Sequence, residues 1–184
     1  MTTKEKILEL FEKSRGVYFS GEDIAGRLCV SRAAVWKAVK ALQNDGYAID
    51  AVTNKGYCLS EKTDILSTQG IRKYLRPDIP GSDITVLPVV SSTNALVREK
   101  AAAGAAEGCM ILANEQTSGR GRLGRNFFSP RDTGIYMSLL LRPDHYSADQ
   151  AVRITTMAAV AMCEAIEAVS DEKAEIKWVN DIYV

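Results

Sequence analysis

A glycine- and arginine-rich segment, EQTSGRGRLGRNFFSP, lies between residues 115 and 130. Its three glycines and three arginines are Gly119, Gly121 and Gly124 and Arg120, Arg122 and Arg125. Glycines let the backbone approach a ligand closely, and guanidinium groups match phosphate or carboxylate oxygens in pairs. The segment therefore predicts an anion-binding loop, although it matches neither the P-loop nor the dinucleotide fingerprint. Taken alone, a flexible basic loop that touches RNA, or a disordered surface segment, explains it equally well.

Two further polar motifs accompany this loop. The first, SSTN at residues 91–94, closes a predicted strand and opens a predicted helix, so its hydroxyls and the free N–H groups of the first turn can hold a polar ligand head. The second, KWVND, lies in a predicted final strand that places Lys177, Val179 and Asp181 on one face and Trp178 and Asn180 on the other. The lysine suits a phosphate, the amide suits a nucleobase or ribose, and the acid suits a metal ion. Taken singly, each residue is better explained by the polarity of a strand end.

The first 60 residues predict three helices followed by a hairpin. Thr2 or Thr3, Ser20 and Ser31 are the predicted N-caps, and apolar residues recur at helical spacing after each. Two short helices joined by a tight turn form a helix-turn-helix, and the hairpin turns at Asn54-Lys55-Gly56. This order predicts a winged helix that ends near Ser60.

The third helix predicts a DNA-binding surface. The second helix of a helix-turn-helix presents its N-terminal, outward residues to the major groove, and residues 31–43 contain no acid. The candidate DNA-binding residues are Ser31, Arg32, Lys37, Lys40 and Lys55. We expect Arg32 to read guanine and the lysines to lie nearer phosphates. The alternatives are a protein-interaction module or a solvated basic surface. We expect Trp36 to lie in the core rather than to stack on bases.

Residues 61–66 suit a linker, and residues 67–184 predict a second domain of alternating helices and strands. Its longest helix is predicted to begin at a cap on Ser147. A doubly wound parallel sheet does not follow, because the 17-residue segment 117–133 between two strands shows no helical period. The class is mixed α/β or α+β, and a loop of that length is usually functional.

Composition excludes several classes of protein. The 23 Lys and Arg balance the 23 Asp and Glu, so no global field attracts nucleic acid or an anionic membrane. The first 60 residues, however, carry nine basic against seven acidic side chains. Four scattered cysteines and one histidine indicate neither a zinc site nor a disulfide framework. No apolar run is long enough for a signal core or a membrane span, so we expect a cytoplasmic protein without a membrane partner.

The order SSTN, EQTSGRGRxGR, FSP and KWxND behind a winged helix resembles the bifunctional biotin–protein ligase and biotin-operon repressor family over the whole chain. The resemblance implies an α+β protein: an N-terminal winged helix-turn-helix, then a mixed-sheet, class II synthetase-like catalytic domain that is incomplete at its C-terminus. The implied activity is that of a biotin–[acetyl-CoA-carboxylase] ligase, which uses ATP, biotin and Mg²⁺ to form biotinyl-5′-AMP. The implied partners are a biotin carboxyl carrier protein, operator DNA and, when ligand is bound, a second copy of the chain.

The resemblance also assigns residues. The implied biotin-binding residues are Ser92, Thr93, Asn94, Gln116, Gly119, Arg120 and Arg122. The implied nucleotide-binding residues are Arg122, Phe127, Lys177 and Asn180. Arg120, Arg122 and Lys177 would be catalytic, and Asp181 would bind Mg²⁺.

Three departures from the family pattern qualify these expectations. Phe127 stands where a tryptophan is common, and Val179 replaces the common proline. Members also continue after KWxND with a hairpin and a small C-terminal domain, so we expect the chain as given to bind biotin poorly. A lipoate–protein ligase of the same catalytic fold, and a ligand-sensing transcription regulator without transferase activity, are the alternative functions.

Overall fold

The computed structural model describes residues 1–76, 83–121, 124–143, 150–178 and 180–184. The chain divides into two compact units, residues 1–141 and 142–184, and each is described by itself. The helices are α1 (Thr3–Lys13), α2 (Gly21–Leu28), α3 (Arg32–Asn44), α4 (Thr68–Arg72), α5 (Thr93–Ala102) and α6 (Ala151–Val169). The strands are β1 (Ile49–Val52), β2 (Gly56–Leu59), β3 (Ile84–Leu87), β4 (Met110–Ala113), β5 (Tyr136–Leu139), β6 (Glu175–Lys177) and β7 (Asp181–Tyr183).

The first three helices begin at predicted N-caps. Thr2 Oγ1 accepts a hydrogen bond from the Glu5 N–H, and the Glu5 carboxylate accepts one from the Thr2 N–H, which forms a capping box. Ser20 and Ser31 cap α2 and α3 by accepting hydrogen bonds from backbone N–H groups three residues on. These local hydrogen bonds start the helices where the sequence predicted.

One apolar core holds α1, α2, α3 and the β1–β2 hairpin together. Its most deeply buried members are Ile7, Phe11, Ile24, Val35, Val39, Leu42 and Leu59. The hairpin is fastened to the start of α2, because Phe19 and Tyr57 exchange two backbone hydrogen bonds of 2.9 Å. At Gly56, where φ is +100°, a Cβ atom would lie 2.1 Å from the Phe19 carbonyl oxygen. The predicted winged helix is confirmed.

The prediction that Trp36 lies in the core is wrong. Its side chain is 54% exposed. Val35, Ala38, Val39 and Leu42 form the buried face of α3, and successive residues of a helix are about 100° apart. Trp36 therefore lies at the side of the helix, away from the centre of that face.

A three-stranded mixed sheet forms the second half of the first unit. Its strand order is β3-β4-β5, with β3 parallel to β4 and β4 antiparallel to β5. Helix α5 makes the crossover from β3 to β4 and packs against both β4 and β5. The predicted mixed class is confirmed. The boundaries predicted at residues 60 and 66 stay predictions; Thr63 and Ser67 are buried, and Ile65 packs on the N-terminal core.

The second unit contains α6 and a short antiparallel hairpin of β6 and β7. The predicted cap Ser147 lies outside the described residues, and the described helix begins after Gln150. The single final strand predicted for KWVND is wrong, because the chain turns between Lys177 and Asp181, which pair across the hairpin. Asn and Asp favour turns, and this preference outweighs the β-branched and aromatic residues around them. None of the helices in the described residues combines the length and the apolar character needed to cross a membrane.

Candidate functional site

The glycine- and arginine-rich loop folds back on itself as a hydrogen-bonded ribbon. The Gln116 N–H donates to the Ser129 carbonyl over 3.0 Å, and the Phe127 N–H donates to the Gly119 carbonyl over 2.9 Å. Nearer the tip, the Gly121 N–H donates to the Arg125 carbonyl over 2.8 Å. The described part of the loop is therefore ordered by its own backbone, unlike a disordered surface segment. Arg122, which we predicted to bind both biotin and the nucleotide, lies outside the described residues.

Gly119 lies where the two arms of this ribbon come closest. A Cβ atom at this position would lie 2.4 Å from the Phe127 carbonyl oxygen and 2.5 Å from the Ser129 hydroxyl oxygen. Both distances are far shorter than real carbon–oxygen contacts. Gly119 is therefore needed for the close approach of the two arms, and its predicted contact with biotin stays a prediction.

The SSTN segment runs parallel to the beginning of the loop. The Val90 N–H donates to the Glu115 carbonyl over 3.1 Å, the Thr117 N–H donates back to Val90 over 2.9 Å, and the Ser118 N–H donates to Ser91 over 2.8 Å. These bonds extend the parallel pairing of β3 and β4 beyond the strands. The sheet thus brings together two motifs that are more than 20 residues apart in the sequence.

The Gln116 side chain joins the two motifs. Its Oε1 accepts hydrogen bonds from the Thr93 N–H over 2.8 Å and from the Thr93 hydroxyl over 3.1 Å. Its Nε2 donates to the Ser129 hydroxyl over 3.0 Å. Thr93 and Ser129 are both buried. The orientation of the Gln116 amide is therefore determined from both ends.

Ser138 on β5 extends this polar cluster. Its hydroxyl lies 2.9 Å from the Thr93 hydroxyl and donates to Asn94 Oδ1 over 3.3 Å. Sequence reasoning missed both Ser129 and Ser138. Ser138 lies on the half-buried face of β5, which the two-residue period of a predicted strand could have indicated, whereas Ser129 is recognisable in the sequence only from its place in the FSP motif.

A cavity of about 440 Å³ lies beside the cluster, where α5 meets the loop. It is lined by Ser92, Asn94, Ala95, Arg98, Arg120, Gly121 and Gly124. Ser92 is buried and is the N-cap residue of α5, but its hydroxyl does not cap the helix. In the part of the chain that the structure describes, neither this hydroxyl nor the Arg120 guanidinium has a hydrogen-bond partner.

The charge around this cavity suits an anionic group. Arg98 and Arg120 both line it, and no carboxylate among the described residues does. Two guanidinium groups can bind phosphate or carboxylate oxygens in pairs, and the Ser92 hydroxyl can donate or accept a hydrogen bond beside them. Arg98 was not predicted; its position four residues after Asn94, on the same face of α5, is the signal that could have identified it.

A second, open groove of about 820 Å³ is lined by residues of the loop itself. Phe127 and Phe128 line it together with Arg120 and Arg131. Phe127 is 56% exposed, so its ring is accessible to a ligand. Its predicted role as an apolar wall for a nucleotide stays a prediction.

The KWVND residues lie in the second unit. The Asn180 side chain donates to Asp181 Oδ1 over 2.8 Å, and Lys177 Nζ lies 5.6 Å from the centroid of the Tyr183 ring. No group of three or more metal-ligating His, Cys, Asp or Glu side chains occurs within the described residues. A lone Asp181 carboxylate fits a magnesium ion that takes its other ligands from nucleotide phosphates and water, and does not form a protein cage for the metal.

The predicted DNA-binding residues lie on an exposed surface of the winged helix. Arg32, Lys37, Lys40 and Lys55 are all exposed, and none forms an ion pair with another described residue. Ser31 is exposed too, but its hydroxyl accepts the capping hydrogen bond from the Ala34 N–H over 3.2 Å. Lys55, at the tip of the hairpin, lies 5.8 Å from the centroid of the Tyr18 ring.

Comparison with known proteins finds relatives for both halves of the chain. The HTH domain family matches residues 3–58, and the biotin/lipoate A/B protein ligase family matches residues 86–184. The bifunctional ligase/repressor BirA of Bacillus spizizenii is 39% identical over 183 residues, which are 100% of this chain and 56% of the relative. That of Escherichia coli is 31% identical over 171 residues, 93% of this chain and 51% of the relative.

Among solved structures, a biotin protein ligase from Aquifex aeolicus in complex with biotin and ATP is similar over 55% of this chain and 41% of that chain. Its sequence identity is 30% and the TM-score is 0.48. The chain spans about half the length of the curated relatives it matches.

Proposed function

Because the chain belongs to the biotin/lipoate A/B protein ligase family, we propose that the protein activates biotin with ATP and transfers it to a lysine of a biotin carboxyl carrier protein. We further propose that its winged helix binds operator DNA, so that a cytoplasmic enzyme also represses biotin genes. The observation that carries the ligase proposal is that one cavity is lined by the Ser92 hydroxyl and the Arg120 guanidinium, neither of which has a hydrogen-bond partner among the described residues. The ligase/repressor names of the curated relatives support both parts.

The first step joins the two substrates. A carboxylate oxygen of biotin attacks the α-phosphorus of ATP, and the bond from that phosphorus to the pyrophosphate oxygen breaks, which gives biotinyl-5′-AMP. Negative charge accumulates on the phosphoryl oxygens during this exchange. A guanidinium already in position, such as that of Arg120, stabilises this charge without reorganisation of solvent. Because of the family resemblance, we assign Arg122 to the biotin carboxylate and the adenylate phosphate, and Lys177 to the nucleotide and pyrophosphate.

The second step transfers the biotinyl group. The neutral amine of a carrier lysine attacks the carbonyl carbon of the mixed anhydride, AMP leaves with the electron pair of the broken C–O bond, and the amine loses a proton. Water would hydrolyse the same anhydride. The loop ribbon beside the cavity can cover the intermediate and so limit this side reaction.

The hydrogen bonds of the polar cluster divide the proposed biotin-binding residues into two groups. Gln116 Oε1 and the Thr93 hydroxyl are already hydrogen-bonded to each other, so we assign them to positioning the surrounding groups. The Ser92 hydroxyl and the Asn94 side chain line the cavity. Because Asn94 Oδ1 already accepts a hydrogen bond from Ser138, we assign the Ser92 hydroxyl and the Asn94 Nδ2 group to the polar atoms of biotin. Gly119 would act by letting the loop close around the ligand.

The nucleotide side of the proposed site rests on the family resemblance. Phe127 would contact the adenine, and Lys177 and Asn180 would contact the nucleotide and its phosphates. Asp181 would supply one ligand to a magnesium ion. That ion, when bound with ATP, would neutralise part of the triphosphate charge.

The test of the ligase proposal is pyrophosphate release by the whole protein supplied with Mg-ATP and either biotin or lipoate. Pyrophosphate release with biotin and Mg-ATP, but not with lipoate and Mg-ATP, supports the proposal. Release with lipoate alone would replace it by the lipoate alternative, which the family description also covers. Biotin binding without release of pyrophosphate with either acid would favour a ligand-sensing regulator.

The repressor proposal rests on the HTH match and on the exposed cations of α3. Operators are commonly two-fold symmetric, and a homodimer would place two recognition helices on successive turns of the major groove. We propose that bound adenylate orders the loop and thereby favours this dimer. Sedimentation of the whole protein with and without biotin and ATP tests whether adenylate binding favours the dimer. A molecular mass that does not change with ligand would contradict this proposal.

A further inference from the structure

An exposed tryptophan lies on the face of α3 that carries the predicted DNA-binding residues. Trp36 follows Arg32 by four residues and precedes Lys40 by four, so the three form one stripe along the helix. All three are exposed. No hydrogen bond or ring contact of Trp36 occurs among the described residues. Among the residues that the structure describes, the indole is therefore an apolar surface without a partner, and it lies between two cations.

A groove beside this stripe separates α3 from the β1–β2 hairpin. Its volume is about 540 Å³, and Arg32 and Trp36 line one side of it. The hairpin side includes Val52, which is also exposed, and Asn54. No acidic residue among the described ones lines the groove. A polyanion with an apolar group on its accessible edge fits this combination of charge and apolar surface.

Double-stranded DNA has such an edge. In the major groove, guanine presents two acceptors that suit an arginine, and thymine presents the C5-methyl group as its apolar feature. Phosphates and sugars offer an indole no comparable contact that depends on sequence. A thymine methyl beside a guanine is therefore the match for Trp36 beside Arg32.

We propose that Trp36 is a sequence-reading residue whose indole packs against a thymine C5-methyl group, next to the base that Arg32 reads. This inference rests on the proposed DNA-binding function and extends it. Trp36 makes the protein prefer thymine at a position that hydrogen bonds alone would leave weakly specified.

The test removes the methyl group from the DNA rather than only the side chain from the protein. A duplex is first selected with the whole wild-type protein from a random-sequence library. Each thymine of that duplex is then replaced singly by deoxyuridine, which lacks only the C5-methyl group. We expect wild-type affinity to fall about fourfold at one or two positions, the factor that corresponds to about 0.8 kcal/mol for one buried methyl group.

The Trp36→Ala variant should bind the thymine and deoxyuridine duplexes equally, while Trp36→Phe should keep part of the difference. The helix should tolerate both changes because Trp36 does not contribute to the core, and circular dichroism checks this. Tyr74→Ala is the matched control, since Tyr74 is an exposed aromatic residue that does not line the groove. It should retain the wild-type difference between the duplexes.

The possible failures are distinguishable. If the wild-type protein selects no duplex, the proposed DNA binding fails and this inference fails with it. If it selects a duplex but no deoxyuridine replacement weakens binding, or if Trp36→Ala remains as sensitive as wild type, DNA binding stands and the role of Trp36 is wrong. A changed mass of the free Trp36→Ala protein with unchanged DNA affinity would show that a second copy covers the groove, and would also overturn the inference.

Discussion

Lys73 Nζ donates a 3.1 Å hydrogen bond to Glu12 Oε2, although 61 residues separate the two in the sequence. Arg15 binds the same carboxylate with Nε and Nη2, both over 2.9 Å, and donates from Nη1 to the Thr63 carbonyl over 2.6 Å. The Glu12 side chain is fully buried. The Glu12 carboxylate in α1 thus binds two cations. Through Arg15 it is linked to Thr63, which precedes α4, and it is bound directly by Lys73, the residue that follows α4.

Replacing Glu12 with Gln should destabilise the protein by about 3 kcal/mol, because breaking one partner of a buried ion pair leaves the other charges uncompensated. Arg15 and Lys73 are both partly shielded from water, so solvent compensates them incompletely. Denaturant unfolding measures the effect. Glu9→Gln is the matched control, since Glu9 lies on the same helix in an exposed pair with Lys13 and should change little. Equal effects of the two variants would contradict the assignment.

The same cluster predicts a loss of stability in acid. Burial raises the pKa of Glu12, but hydrogen bonds and charges from Arg15 and Lys73 outweigh it, so the pKa lies below its ordinary value of 4.5. A carboxyl group with a lowered pKa in the folded state contributes its full stability above its unfolded pKa and loses it as the pH falls through the folded one. The stability difference between wild type and Glu12→Gln should therefore begin to shrink as the pH falls below 4.5 and continue to shrink as the pH falls through the lowered pKa of the folded state, as unfolding curves at each pH would show. A stability difference that does not change with pH would contradict this role of the Glu12 carboxylate.

Replacing Arg120 with Ala should weaken formation of the adenylate by about 2–4 kcal/mol, because a charge-assisted contact to the reacting carboxylate or phosphate is lost. The loss for Arg120→Lys should lie between those of wild type and Arg120→Ala, since lysine keeps the charge but cannot form the paired hydrogen bonds of a guanidinium. Pyrophosphate release under saturating and limiting biotin separates binding from chemistry. Arg27→Ala, which removes an arginine paired with Asp23 in the winged helix, is the control. Unchanged release by Arg120→Ala would remove Arg120 from the site.

Replacing Ser92 with Ala should weaken biotin binding without lowering the free energy of unfolding. Ser92 is the N-cap residue of α5, but its hydroxyl makes no capping hydrogen bond, so the helix loses nothing. Ser20→Ala is the matched control: its hydroxyl accepts a 3.0 Å hydrogen bond from the Asp23 N–H, and its removal should cost about 1 kcal/mol of stability. Titration calorimetry with biotin and denaturant unfolding measure the two quantities. A loss of stability in Ser92→Ala would show a structural role instead.

Two cations of α3 should differ in how they affect DNA binding. Arg32→Ala should relax the preference for one base position, because a guanidinium reads guanine in pairs of hydrogen bonds. Lys40→Ala should weaken binding to all duplexes alike and reduce its salt dependence, as expected for a phosphate contact. Binding curves on a selected and a scrambled duplex at several salt concentrations measure this. An equal loss on both duplexes for Arg32→Ala would assign Arg32 to phosphate as well.

The sequence by itself determined the features that depend on neighbouring residues. The winged helix was predictable because its signals arise within a few residues: a cap at Thr2 or Thr3, caps at Ser20 and Ser31, the apolar spacing of α3 and the turn at Asn54. The order of the polar motifs was sufficient to suggest the family. Each of these signals is local in the chain or independent of its three-dimensional path.

Only the tertiary structure decided which residues meet across long separations. The contacts of Gln116 with Thr93 and Ser129, and of Thr93 with Ser138, depend on the parallel pairing of β3 with β4 and the antiparallel pairing of β4 with β5. The turn inside KWVND and the exposure of Trp36 also went against local expectation. In the sequence, Glu12 is one more polar residue of an amphipathic helix, whereas in the structure its buried carboxylate pairs with Lys73, which lies 61 residues away in the chain. Sequence periodicity shows which face of an element is apolar. It does not specify which distant charge or hydroxyl packs against that element, because that contact depends on the summed free energy of the whole fold.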